Sequence, residues 1–154
     1  MDTTKAKNYL NQVRKIDVLI ENKIDEAAYW KAVAMGTTAV TEGERVQSSG
    51  SKQKMADAVV RYVDLESEIN REIDRLADKR REIVKTIEEL PVIEYDILYK
   101  RYIEGRGLKE IACDVSEKED KAYNTAYSWC TTTHGKALVS LEKLLNERER
   151  NGKG

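Results

Sequence analysis

The chain has 154 residues, 36% of them charged and 40% hydrophobic, with a mean hydropathy of −0.66. That mixture is too apolar for a disordered chain and too charged for a thick globular core; it suits helical hairpins and coiled coils, in which each helix buries one stripe. The formal net charge is −1, with 16 Lys/Arg against 17 Asp/Glu in residues 1–91 and 11 against 11 in residues 92–154, so no basic tail announces strong nonspecific nucleic-acid binding.

No signal peptide and no apolar run of about 18 residues is present, so a cytoplasmic protein without membrane contact is expected. The two cysteines, Cys113 and Cys130, are expected as a pair of buried thiols, with a bridge between them left open.

Residues 5–34 read as a first helix, because Tyr9, Val13, Ile16, Ile20, Ile24 and Ala27 recur at steps of three and four. Glycine, threonine and serine then crowd residues 36–51, which is loop composition. From Met55 to Leu90 the spacing alternates four and three for five heptads, through Val59, Tyr62, Glu66, Ile69, Ile73, Leu76, Arg80, Ile83 and Ile87. That is coiled-coil spacing, with Ser49 or Ser51 able to cap its start and Pro91 ending it. Residues 1–90 are therefore expected to form an antiparallel helical hairpin, whose longer second helix has spare seam for a homodimer or for the C-terminal domain.

Residues 91–154 read as a second, three-helix domain. The phrase Tyr95-Asp-Ile-Leu-Tyr-Lys-Arg-Tyr-Ile-Glu-Gly-Arg-Gly-Leu-Lys-Glu-Ile-Ala ends one helix at Glu104, turns on Gly105-Arg106-Gly107 and starts another at Leu108. Helix, glycine turn, short helix and longer helix follow the order of a helix-turn-helix. Ile93, Ile97, Leu98 and Tyr102 are expected to line its first helix, and Leu108, Ile111, Ala112 and Val115 its second. Residues 116–121 are polar and read either as a loop or as the start of the third helix, whose seam is Tyr123, Tyr127, Cys130, His134, Ala137, Leu141 and Leu144.

Catalysis finds little support. The single histidine, His134, sits on that seam, where a packed role is the ordinary one. No phosphate loop follows a strand, and Cys113 and Cys130 lack metal-ligand spacing. Acids and bases alternate at helical spacing, as on solvated faces. A non-enzymatic protein without cofactor or metal is expected.

At Tyr99-Lys-Arg-Tyr-Ile-Glu-Gly the chain resembles a family of short proteins of phages and prophages of Gram-positive bacteria, similar in outline to transcription regulators of the ArpU and RinA type. Two further blocks carry the resemblance, residues 9–23 and residues 44–58, the latter with Arg45-Val-Gln-Ser-Ser-Gly; Trp129 and His134-Gly-Lys-Ala-Leu extend the C-terminal one. The resemblance implies an N-terminal helical region joined to a domain similar to region 4 of sigma-70 factors. This chain departs from the family by about eight added residues around 116–123, and it has Thr131-Thr-Thr133 where relatives tend to show arginines, the residues that contact phosphate and guanine.

The function expected first is that of a phage-encoded regulator of transcription that binds double-stranded DNA. Thr125, Ser128, Trp129, Thr132 and Lys136 would face the major groove, and Lys121 and Arg106 the phosphates. The alternative is a phage protein that binds and modulates RNA polymerase or another host or defence protein.

Overall fold

The computed structural model describes residues 1–36 and 49–152, and among these every regular element is helical. The elements are α1 (Thr4–Ala34), α2 (Ser49–Ile87), α3 (Val92–Leu98), which continues into a π-helical turn (Tyr99–Ile103), α4 (Leu108–Glu119) and α5 (Tyr123–Gly152). The expected roles of residues 37–48, most of the Arg45–Gly50 segment included, lie outside the described residues. α2 begins at Ser49, earlier than the apolar spacing indicated, and at 1.5 Å per residue its 39 residues run roughly 58 Å.

The helix ends follow from local chemistry. Pro91, with φ −51 and ψ 146, stands before α3 because its ring suits the entry to a helix but supplies no backbone N–H. The π turn closes with Glu104 N–H on the Tyr99 carbonyl and Arg106 N–H on the Lys100 carbonyl, both at 3.0 Å. Gly105 sits between them at φ +73, where a side chain would be strained. α4 ends on Asp120, at φ 49 and ψ 49, whose N–H returns to the Ser116 carbonyl. Asp is one of the few side chains that enter the left-handed region routinely. Of the polar segment, residues 116–119 extend α4 and residues 120 and 121 belong to the turn of residues 120–122; none of it starts α5.

Packing divides the chain into two compact units, Met1–Ile16 with Lys79–Gly154, and Asp17–Asp78. This is not the division at residue 90 that the breaks in periodicity suggested. In the first unit Leu10, Val13, Ile87, Leu98 and Leu141 are completely buried, so the start of α1 and the end of α2 share a core with the C-terminal helices. Each such side chain contributes about 1.5–3 kcal/mol by burial.

A buried polar junction fixes that arrangement. Thr86 is 1% exposed; its hydroxyl donates to the Glu82 carbonyl (2.9 Å) and accepts from the Tyr9 hydroxyl (2.9 Å) and Arg148 Nη1 (2.7 Å). Arg148 also pairs with Glu89. Six residues earlier on α5, the buried Glu142 accepts the Ala6 backbone N–H at 2.6 Å. Ala6 N–H is one of the donors a helix start leaves without an intrahelical partner, and a carboxylate there also meets the positive end of the helix dipole. Asp2 accepts the Thr4 N–H at 2.9 Å in the same way.

The second unit has little core. Ala34 and Ile69 are its buried hydrophobic residues among those described, while Val18, Ile24, Tyr29, Val59, Val60 and Val63 are exposed. Lys23 pairs with Glu72. Several expectations about facing are corrected: Val59 lies at the exposed edge of the heptad seam, Ile93 is 60% exposed, and Tyr123 is 40% exposed because Ala126 takes the buried position on α5. The smaller alanine lets α4 and α5 pack closely, and the displaced tyrosine stacks on Tyr127 at 6.0 Å.

Two measurements check this division. A fragment of residues 91–154 discards Leu10, Val13, Ile83 and Ile87, and is expected to melt without a cooperative transition by circular dichroism. Glu142→Ala in the whole chain leaves a buried N–H without its acceptor and is expected to cost about 1–3 kcal/mol in urea denaturation.

Candidate nucleic-acid interface

α5 follows α4 after a three-residue turn and presents an uncovered face along its N-terminal half. Asn124, Thr125, Ser128, Trp129 and Thr132 line one shallow depression there, and Lys136 is exposed one turn further on. Five of the seven residues singled out from sequence therefore share one side of α5. Asn124 belongs with them and was missed, although its spacing to Ser128 and Thr132, two steps of four, is legible in the sequence.

The remaining two are occupied. Arg106 is held between the two turn glycines with its guanidinium on carboxylates: Nε lies 3.2 Å from Glu110, Nη1 3.6 Å from Glu104, and Nη2 pairs with Asp114. Lys121 pairs with Glu119 at 2.8 Å. Both cations are partly neutralised before any phosphate approaches.

The three consecutive threonines have three fates, set by the helical rotation of about 100° per residue. Thr131 donates its hydroxyl to the Tyr127 carbonyl at 2.9 Å, Thr132 faces the depression, and Thr133 is buried. Thr131 stays exposed as well, but of the three only Thr132 lines the depression. The exposed face is consequently neutral over residues 124–132, with hydroxyl, amide and indole groups as its chemistry.

Behind this face, His134 lies on the other flank of the helix. Its Nε2 is 2.9 Å from the Tyr102 hydroxyl and the rings stack at 5.7 Å, while Arg101 lies over the Tyr102 ring at 5.5 Å. Burial, followed by the charges of Arg101 and Lys7, holds the imidazole below its ordinary pKa of 6.5. Burial also raises Tyr102. His134 thus packs as the seam position implied. Cys130 is fully buried, and burial pushes its thiol up; Cys113 is exposed rather than buried, and both thiols are free.

Among the described residues no cluster of His, Cys, Asp or Glu could hold a metal ion, and no helix is long and apolar enough to cross a membrane. Comparison with protein-family models, with curated proteins and with solved structures finds no match.

The two packing units differ in charge. The first carries 19 Lys/Arg against 15 Asp/Glu, a net of +4; the second carries 8 against 13, a net of −5. The even distribution along the sequence is an average over these two bodies. Positive charge belongs to the unit that holds α5.

A pH dependence follows from His134. The folded chain protonates the imidazole less readily than the unfolded chain does, so protons favour unfolding. The urea midpoint is expected to fall as pH drops from about 7 to about 5.5, and His134→Gln to flatten that dependence.

Proposed function

We propose that the chain is a DNA-binding regulator of transcription, of the kind encoded by phages, in which α3, α4 and α5 act as a helix-turn-helix similar to sigma-70 region 4. The observation that carries this reading is the uncovered face of α5, Thr125, Ser128, Trp129 and Thr132 with Lys136 beyond, which directly follows the α4–α5 turn. Groove-reading side chains belong to the N-terminal part of a recognition helix. Hydroxyl groups bond phosphates or base edges, and the indole packs against thymine methyls. The +4 charge of this unit favours a polyanion as ligand.

The N-terminal helices form an antiparallel hairpin in this reading. Two pairings support it: Tyr9 with Thr86 and Lys23 with Glu72 advance along α1 by 14 residues and retreat along α2 by the same number. A homodimer would use the exposed valines of α2, Val59, Val60 and Val63.

A specific observation favours a second reading, in which the α5 face binds RNA polymerase or another host protein. Arg106 and Lys121 are engaged by carboxylates, and the face itself holds no arginine. A neutral surface centred on an exposed tryptophan suits a protein partner.

Gel retardation with promoter fragments from the genome that encodes the chain separates the two. DNA binding gives a site-dependent complex that weakens with salt, and Trp129→Ala and Lys136→Ala each reduce its affinity about tenfold, equivalent to about 1.4 kcal/mol. Absence of retardation even at low salt rejects DNA binding and leaves the protein-partner reading.

A further inference from the structure

The second unit carries a surface that has no part in the α5 face. On α1 the positions turned toward the partner helix follow heptad steps: Ile16 and Ile20, then Lys23 with its side chain on Glu72, then Ala27 and the buried Ala34. The same rhythm shifted by two residues gives Val18, Asn22, Asp25 and Tyr29 on the opposite side, all exposed. Val18 and Tyr29 are 48% and 57% exposed, and Glu21 and Glu26 flank the stripe. Glu21, Asp25 and Glu26 make no ion pair with another described residue, and the one cation within residues 17–30, Lys23, is turned away to Glu72.

We infer that this outward stripe of α1 is a docking surface for a basic amphipathic helix of a partner protein. Val18 and Tyr29 sit 11 residues apart, three helical turns, and would take apolar side chains from the partner's heptad positions. The three carboxylates between and beside them pair with flanking lysines or arginines. Tyr29 meets Trp30 edge to face at 5.2 Å, an aromatic pair whose ring faces attract a cation. Charge selects the occupant: the unit carries 8 Lys/Arg against 13 Asp/Glu, so a second copy of the same stripe would set acid against acid, and DNA would be repelled. The unit's small core explains why apolar residues remain for a partner.

The probe is a fluorescein-labelled helical peptide with leucines at heptad spacing and lysines on either side, titrated with the full chain while anisotropy is followed. A glutamate-for-lysine version serves as control. Saturable binding of the lysine peptide alone is expected, with an affinity reduced about tenfold by Tyr29→Ala and by the pair Glu21→Lys, Asp25→Lys. All three positions are exposed, so the helices persist, which circular dichroism checks. Equal binding of both peptides, no binding of the lysine peptide, or unchanged affinity in both variants overturns the proposal. Sedimentation showing a dimer that Tyr29→Ala dissociates assigns the stripe to a second copy and overturns it equally.

Discussion

The buried hydroxyl of Thr86 and the buried carboxylate of Glu142 tie the two ends of the chain together. Neither group tolerates burial without partners, and each takes partners from distant parts of the sequence: Tyr9 and Arg148 in one case, the Ala6 backbone in the other. Their geometry obliges the first turns of α1 and the last turns of α2 to pack with α5. The three C-terminal helices are therefore one side of a larger core, and the position of the α5 face depends on residues more than 100 positions earlier.

That constraint also sorts the charge. Joining residues 1–16 and 79–154 gathers a net of +4 in the unit that holds α5 and leaves −5 on residues 17–78. A chain that is nearly neutral in each of its sequence halves thus presents one body of net positive and another of net negative charge. Under the two proposals, such a split would let nucleic acid and a basic protein segment bind without competing. Local stability divides similarly: a unit with Ala34 and Ile69 as its described buried hydrophobics opens more easily than one built on Leu10, Ile83, Leu98 and Leu141.

The α5 surface is defined as much by what leaves it as by what remains. Thr131 bonds the helix backbone and Thr133 enters the core, so of the three threonines only Thr132 lines the depression. Arg106 and Lys121 are turned to carboxylates supplied by α4 and the chain just before it. In the proposed reading, recognition by this face would rest on hydrogen bonding and apolar contact, with Lys136 as its exposed cation.

Much of the architecture was legible in the chain. Apolar steps of three and four marked α1, most of α2 and the start of α5, and Gly105 marked the turn before α4, because helical periodicity and glycine conformations are properties of short segments. The outward residues of α5 from Thr125 to Lys136 were readable for the same reason. Local pattern could not determine which neighbour covers each stripe. Tyr123 and Ala126 lie almost one turn apart, and only the close approach of α4 decided that the alanine goes inside. Arg106 reads as a phosphate ligand until Glu104, Glu110 and Asp114 are brought around it. The boundary between units likewise escaped the sequence, since Pro91 breaks the helix but not the core. Secondary structure is written in neighbouring residues, whereas burial, ion pairing and the division of charge depend on contacts between residues far apart in the chain.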